Sequence, residues 1–306
     1  MQWFILRRFS QSFMVLIVVV TATFLLARVV GDPALTLLPQ DATKEDYERL
    51  KKHYGLDKPM YIQYFSYMGA LAKGDLGESV IRVGYKVTDL LWRPLGNSAK
   101  LALAAFLFAF GAALPMGIIA ALNRGKPLDW LMRLFASLGL CMPGWWMGMI
   151  MIILFAVQFR LLPVAGTGDI KHYILPAIAL GHGAAAGLSR LIRSTMLDVL
   201  DSEYIKMARA KGLPWRVVVW KHAVRNAMIP MVTFGGLYLA FLITGALTIE
   251  VVFAWPGMGR LLFESIGAQD RVVVQSLVLV AATIIVTANF LVDIAYGIVD
   301  PRIRLT

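Results

Sequence analysis

The sequence has few charged residues and almost no cysteine. Only 16% of its 306 residues are Asp, Glu, Lys or Arg, whereas soluble domains average about 25%. Hydrophobic residues make up 58% of the chain, and the mean hydropathy is +0.68. The single cysteine, Cys141, excludes an intrachain disulfide and lies within an apolar run. This composition indicates a protein whose main solvent is the lipid bilayer.

The sequence also lacks the usual motifs for catalysis or nucleotide binding. It contains no glycine-rich loop ending in Lys-Ser or Lys-Thr, no His-Glu-x-x-His and no paired cysteines. Its four histidines are scattered, and only His182 lies deep in an apolar run. Because no second ligand lies near His182, a packing or hydrogen-bonding role is favoured over metal binding. We therefore predict no metal site and no catalytic residues.

Deeply placed acidic residues, which ion pumps and proton relays need, are likewise scarce. Only Glu250 and Asp293 come close, and each lies at the end of an apolar run. Pairing or capping at the membrane interface is favoured over a role in transport.

The apolar residues cluster into runs that can cross a bilayer, for which about 20 residues are needed. Six candidate spans cover approximately residues 9–30, 101–122, 134–159, 173–189, 227–249 and 272–292. Pro143-Gly144 is predicted to interrupt the third of them. The first run is longer than the ~7–15 apolar residues of a signal peptide, so we expect it to be retained. We predict an all-α polytopic protein with one transmembrane domain over residues 1–306 and both termini on the same side.

Lys and Arg residues in the short connections give the orientation. Fifteen lie on the side of the two termini and four on the other side. Positive residues accumulate on the cytoplasmic side, and long connections such as residues 31–100 are not counted. The termini and the loop 190–226 are therefore predicted to be cytoplasmic, and the loop 31–100 periplasmic. The same bias explains the net charge of +11 without nucleic-acid binding.

The loop 190–226 contains signals for a short, well-bounded helix. Asp201 or Ser202 can cap its start, Gly212 is a typical terminating glycine, and Pro214 follows. Within Glu203–Lys211, helical spacing places four residues on one face, namely Tyr204, Met207, Ala208 and Lys211. A small amphipathic helix of this kind suits docking to a cytosolic partner, although a solvated loop helix would have a similar pattern.

Two other segments leave alternatives open. In the long outer loop, a helix is predicted to start near Thr43, and aromatic residues at helical spacing follow from Tyr61 to Leu71. These aromatics suit either the membrane interface or packing on the spans. The fourth span is short, with Pro176 and several small residues from Gly181 to Gly187. Such a span suits close helix packing or a position beside a transport route.

Several ordered motifs resemble the permease subunits of binding-protein-dependent ABC importers, in the dipeptide, oligopeptide and nickel branch. The family carries a pattern of Glu-Ala-Ala, then any three residues, then Gly. The equivalent residues here are Lys206-Met207-Ala208, then Arg209-Ala210-Lys211, then Gly212. The Ala and Gly are kept, whereas the Glu, the first Ala and the later Leu-Pro are not. Further landmarks extend over nearly the whole chain: Gly31-Asp32-Pro33, Tyr54-Gly55-Leu56-Asp57-Lys58-Pro59, Lys73-Gly74-Asp75-Leu76-Gly77, Trp255-Pro256-Gly257-Met258-Gly259 and Asp300-Pro301-Arg302.

The resemblance implies a type I ABC importer permease fold in a bacterial inner membrane. It implies two separate ATP-binding subunits, which would hold the ATP and Mg²⁺, a second six-span permease that is a different chain, and a periplasmic solute-binding protein. The segment that contacts the ATPase would comprise Glu203, Tyr204, Lys206, Met207, Ala208, Arg209, Ala210, Lys211 and Gly212.

The remaining expectations concern the cargo and its route. Candidate contacts for the binding protein are Trp255, Pro256, Gly257 and Gly259, although this segment could also be a re-entrant structural loop. Candidate residues of the translocation path are Pro143, His182, Gly235, Gly236, Tyr238 and Thr244. The resemblance implies short peptides or glutathione as cargo, with nickel or metal-chelate and opine-type solutes as alternatives. A stand-alone channel or an intramembrane enzyme is disfavoured, because no selectivity ring and no paired catalytic residues are found.

Overall fold

The computed structural model describes residues 2–29, 43–53, 57–82 and 84–299. The predicted motifs Gly31-Asp32-Pro33 and Asp300-Pro301-Arg302, and residues 54–56, lie outside these ranges. In chain order the helices are α1 (Gln2–Val29), α2 (Lys44–His53), α3 (Met60–Ala72), α4 (Val87–Leu122), α5 (Pro127–Cys141), α6 (Gly144–Met151), α7 (Lys171–Leu200), α8 (Glu203–Ala210), α9 (Trp215–Val217), α10 (Arg225–Gly245), α11 (Leu247–Val252), α12 (Met258–Gly267) and α13 (Arg271–Val299). The predicted all-α class is confirmed.

Within the described ranges, four helices are long and apolar enough to cross a membrane: Trp3–Ala27 within α1, then α4, α7, and Arg271–Ile294 within α13. Helix α5 and the segment Gly144–Gln158 meet at a bend, and they form a fifth span if the two are counted as a single membrane crossing. Helix α10 has 21 residues and occupies the position of the fifth predicted span. The count of six spans therefore stays a prediction.

The predicted interruption at Pro143-Gly144 is a sharp bend. The axes on either side of it differ by 106°. Pro143 has no N–H to continue the helix, and the residue before a proline is pushed into an extended conformation. Met142 is extended accordingly, with ψ of 123°, and α6 begins directly after Pro143. Beyond Met151, residues Ile152–Gln158 continue as a π-helix.

Helices α4 and α7 extend furthest beyond the spans predicted within them. Helix α4 begins at Val87, well before residue 101, and α7 runs on through Arg190 to Leu200. The loops predicted over 31–100 and 190–226 therefore include helical ends. Charged residues mark where a helix leaves hydrocarbon, but they do not end its backbone hydrogen bonding, so charge alone could not give these bounds.

The chain divides into two compact units, Met1–Asn97 with Gly257–Thr306 and Ser98–Pro256. In the first unit α1 and α13 run antiparallel, with Arg8 paired to Asp293 at 3.4 Å and Phe9 packed edge-on against Phe290. Helix α3 lies against α1, where the hydroxyls of Tyr64 and Thr21 are 2.8 Å apart. A separate apolar core joins the start of α4 to α12 and α13.

Helix α2 in the first unit starts as the sequence predicts. The Asp46 carboxylate accepts hydrogen bonds from the Thr43 hydroxyl at 2.7 Å and from the Thr43 backbone amide at 3.1 Å. The Thr43 hydroxyl in turn accepts the Asp46 amide. These reciprocal bonds form a capping box, and the bonds from Thr43 lower the pKa of Asp46.

The second unit has two main apolar cores. One gathers the end of α7, helix α8, the π-helical segment Val218–Val224 and the start of α10. The other gathers α4, α6, the start of α7 and the segment that ends at Trp255. Helices α4 and α7 approach very closely, because a Cβ atom added at Gly181 would lie 2.5 Å from the Ala105 carbonyl oxygen.

Candidate functional site

Helix α8 is bounded closely where the sequence predicts. Ser202 precedes it in an extended conformation. Gly212, with φ of +79°, follows in the left-handed region that favours glycine, and its amide donates to the Arg209 carbonyl at 2.9 Å. The Ser202 hydroxyl donates to the Val199 carbonyl instead of capping the α8 amides. The side-chain cap predicted there is therefore wrong, whereas the position of the helix is confirmed.

Helix α8 has one side packed on the core and one side exposed. Ile205 and Ala208 are buried in the apolar core, whereas Tyr204 and Met207 are exposed, Met207 to 61%. Lys206, Arg209 and Lys211 are also exposed. Of the nine residues predicted to contact an ATPase, only Ala208 faces inward. Ala208 lies at the edge of the face that it shares with Tyr204, Met207 and Lys211, and it turns towards the core beside Ile205, whereas the other three are exposed.

The exposed surface around α8 is basic and partly apolar. Arg209 lies over the ring of Trp215, 5.4 Å from its centroid, and Trp215 is half exposed. The Asn226 side-chain amide donates to the Tyr204 hydroxyl at 2.9 Å and so ties α8 to α10. Exposed Met, Trp and Arg side chains are typical of protein interfaces. We call Tyr204, Met207, Arg209 and Trp215 the α8 surface.

Two ion pairs fix the end of α7, the helix that precedes α8 in the chain. Asp129 on α5 is buried and accepts both arms of the Arg193 guanidinium on α7, each at 2.8 Å. The Gly125 amide also donates to Asp129, at 3.1 Å. Nearer α8, Arg124 pairs with the exposed Asp201 at 3.3 Å. The end of α7 that carries α8 is thereby fixed to α5 by a bidentate ion pair, which is the strong geometry.

Sequence reasoning did not find the Asp129–Arg193 pair. Asp129 is an ordinary acidic residue in the first turn of a helix, and Arg193 contributed only to the count of positive residues. The buried Glu250 is a similar case, because its carboxylate accepts the Ser98 hydroxyl at 2.6 Å. Each pair joins residues far apart in the chain, and no local pattern marks them.

The bend at Pro143 packs directly on α7. The ring nitrogens of His182 lie 2.9 Å from the Ala179 carbonyl and 3.0 Å from that of Met142, just before the bend. A Cβ atom at Gly144 would lie 2.8 Å from the Ala179 oxygen. His182 thus contacts both α7 and the bend, and its neutral ring donates a hydrogen bond to one of the two carbonyl groups. The close approach at position 144 requires glycine.

The other predicted path residues lie on α10. Gly235 adjoins the Phe110 ring, and the half-buried Tyr238 presents its hydroxyl to Gly187 on α7. Gly187 and His182 are five residues apart, about 140° around a helix of 3.6 residues per turn, so Tyr238 and His182 meet different faces of α7. Gly236 and Thr244 belong to α10, but their surroundings lie outside the described residues.

The segment from Trp255 to Gly259 is largely packed. Trp255 is 0% exposed, and it packs edge-on against Tyr173 with centroids 4.7 Å apart. Gly257 is buried, whereas Pro256 and Gly259 are half-buried. Trp255 is therefore a core residue, and its proposed contact with a binding protein was wrong. Its flanking Pro-Gly turn had suggested a surface position, but the indole fills the core beneath it.

Two family models match this chain. The model described as binding-protein-dependent transport system inner membrane component matches residues 113–305, and the model of the N-terminal part of such membrane components matches residues 1–83. The chain belongs to this permease family of ABC importers. It is accordingly a multi-pass protein of the inner membrane, and the resemblance noted in its motifs is confirmed.

Curated relatives match this permease along nearly its full length. A di/tripeptide transport system permease protein, DppB of Pseudomonas aeruginosa, is 39% identical over 332 residues and covers 98% of each chain. An oligopeptide transport system permease protein, AppB of Bacillus subtilis, is 34% identical over 98% of this chain and 99% of its own. A glutathione transport system permease protein, GsiC of Escherichia coli, is 35% identical over 98% of each.

Solved structures agree with the fold of the permease. The MetNI methionine ABC transporter, in inward-facing conformations, has a chain that aligns with a TM-score of 0.59 and 18% identity over 70% of this chain and 97% of that chain. An amino acid ABC transporter crystallised with histidines aligns with a TM-score of 0.52 and 15% identity. The type I importer permease fold is thereby shown.

Proposed function

We propose that this permease forms the translocation path for short peptides or peptide-like solutes such as glutathione. The observation that carries the proposal is the full-length identity of 34–39% to permeases named for di-, tri- and oligopeptides and for glutathione. The chain has no ATPase site of its own and needs no cofactor. Two ATP-binding subunits hold the ATP and Mg²⁺, and a periplasmic binding protein delivers the cargo.

Coupling to the ATPases takes place at the α8 surface. Met207 and Trp215 are exposed apolar side chains on an otherwise charged loop, and exposed apolar groups of this kind mark interaction sites. Ile205 and Ala208 anchor the opposite face, and Asp129 clamps the supporting helix through Arg193. A helix held in this way moves with α7 as one body. Closure of the ATPases on ATP therefore tilts α7 and the helices packed on it.

The cargo passes beside the bend at Pro143 and along α10. The candidate residues of this route stay His182, Gly235, Gly236, Tyr238 and Thr244, and a second, different six-span permease completes it. Small residues dominate the buried side of α7, and they let the neighbouring helices pack closely against it. Pro256 and Gly259 remain candidate contacts for the binding protein.

Competition for uptake tests the cargo. Cells that carry the complete importer take up a radiolabelled dipeptide while unlabelled dipeptides, tripeptides, glutathione or a nickel chelate are added in excess. We expect the peptides, or glutathione, to lower uptake at least tenfold, and the chelate to have no effect. Cells that lack only this permease supply the background. Uptake of the labelled dipeptide no greater than in these cells, together with importer-dependent uptake of a labelled nickel chelate, would overturn the peptide assignment in favour of the metal-chelate alternative.

A further inference from the structure

Helix α5 packs on α7 with few large side chains. Within this described helix only Asp129 and Ala136 are buried. Large apolar side chains of α5 point away instead, with Trp130, Phe135 and Leu138 exposed to 59%, 55% and 47%. Small residues let two helices approach closely, but they offer little interlocking surface to fix one helix along the other. The position of α5 along α7 therefore depends on its polar contacts.

Two polar contacts join α5 to α7, one near each end of α5. At its beginning, the Arg193 guanidinium donates to both oxygens of Asp129, each at 2.8 Å. Directly after its end, the Met142 carbonyl oxygen lies 3.0 Å from a ring nitrogen of His182. His182 and Arg193 are eleven residues apart, about 16 Å along α7 and almost on the same face. Helix α5 is thus attached to α7 at two well-separated points.

The Asp129–Arg193 pair sets a position more than it adds stability. The Asp129 side chain is 1% exposed, and it also receives the Gly125 amide at 3.1 Å and the Arg133 guanidinium at 3.4 Å. A buried ion pair contributes little net stability, because both charges lose their water, and its best-attested use is to fix register. A bidentate pair is planar, so it fixes orientation as well as distance.

We propose that Asp129 and Arg193 are positioning residues that carry the movement of α8 to the bend at Pro143. The proposal rests on the proposed function, in which closure of the ATPases moves α8 together with α7. Because α5 is attached at both ends, it moves with α7 and shifts the bend that follows it. Without the ion pair, α7 slides along the small residues of α5 and the bend stays behind. Docked ATPases then hydrolyse ATP with little import.

The change Asp129→Asn in the complete importer tests this role. Asparagine keeps the size of the side chain and can still accept the Gly125 amide. The Arg193 side chain is 23% exposed, so its charge can reach water once the carboxylate is gone. In proteoliposomes we expect the number of dipeptides imported per ATP hydrolysed to fall at least about fivefold, the lower end of typical coupling between sites. Copurification of the ATPases should stay unchanged.

A second readout does not depend on the cargo. Cys141 is exposed at the end of α5 and can carry an environment-sensitive fluorophore once the cysteines of the other subunits are replaced by serine. A nonhydrolysable ATP analogue should change its emission in the parent importer, and the change should be at least about threefold smaller with Asp129→Asn. A wrong cargo assignment would leave this response intact, so failure of the proposed function is distinguishable from failure of this proposal.

Two further variants complete the test. Arg193→Lys keeps the charge without the planar fork, and we expect values between those of the parent and Asp129→Asn. Asp89→Asn makes the same change at the third residue of α4, where the side chain is exposed, and should match the parent. Both readouts are taken per assembled importer, so a lower yield alone does not move them. Parent-like values for Asp129→Asn, an equal loss with Asp89→Asn, or release of the ATPases would overturn the proposal.

Discussion

Replacing Met207 with glutamate is expected to lower ATP-driven uptake at least tenfold and to release the ATPase subunits. Met207 is 61% exposed, so its packing within the permease is slight, and glutamate keeps the helix propensity of α8. In a docked complex the new carboxylate would be buried at the contact. An unfavourable group at the centre of an interface typically costs 2 kcal/mol or more, which is roughly thirtyfold in affinity. Copurification of the ATPases and peptide uptake measure the effect.

The matched control is Met207→Leu, which keeps an apolar side chain of similar size and should retain both binding and uptake. Ala208→Glu serves as the opposite control. Ala208 is buried in the apolar core, so this change should lower the amount of folded permease itself. A Met207→Glu permease that copurified its ATPases and transported normally would show that α8 is a solvated loop helix, the alternative that its sequence leaves open.

The second large effect is expected at Gly181, where α7 meets α4. A Cβ atom there would lie 2.5 Å from the Ala105 carbonyl oxygen and 3.1 Å from the Phe108 ring. Because the nearest atom belongs to the backbone, no side-chain rotation can relieve the clash. Overpacking of this kind costs about 1–3 kcal/mol, occasionally more. Gly181→Ala should therefore lower the thermal unfolding temperature of the purified permease and its yield in the membrane.

Gly183→Ala provides the comparison, two residues along the same helix. The nearest atom to a Cβ there is the Gly139 carbonyl oxygen, at an ordinary 3.9 Å. Alanine gains up to about 1 kcal/mol over glycine in helix propensity, so this variant should be as stable as the parent or slightly more stable. Equal unfolding temperatures for the two variants would contradict the close α4–α7 contact.

Local signals in the sequence predicted the features that depend on nearby residues. The bend at Pro143 follows from the missing N–H of proline, and the end of α8 follows from Gly212, which has the left-handed backbone that glycine tolerates. The capping box at Thr43 was likewise readable from four consecutive residues. Each of these structures is determined within one or two helical turns.

Features that depend on distant residues were missed or wrong. Helical spacing allowed two ways to orient α8, and only the packing of Ile205 against the rest of the second unit decides between them. Trp255 looked like a surface residue because a Pro-Gly turn follows it, yet it fills a core that residues from α4 and α7 complete. The partners of Asp129 and Glu250 are 64 and 152 residues away, beyond the reach of any periodic pattern.

Reconstitution into liposomes tests the central claim, that this permease is passive and is driven by ATPases docked on α8. The purified permease pair, with binding protein and labelled peptide outside and ATP inside, is compared with and without the two ATPase subunits. The account predicts peptide accumulation against a gradient only when both ATPases and ATP are present, and none with the Met207→Glu permease. Accumulation by the permease pair without the ATPases would contradict it.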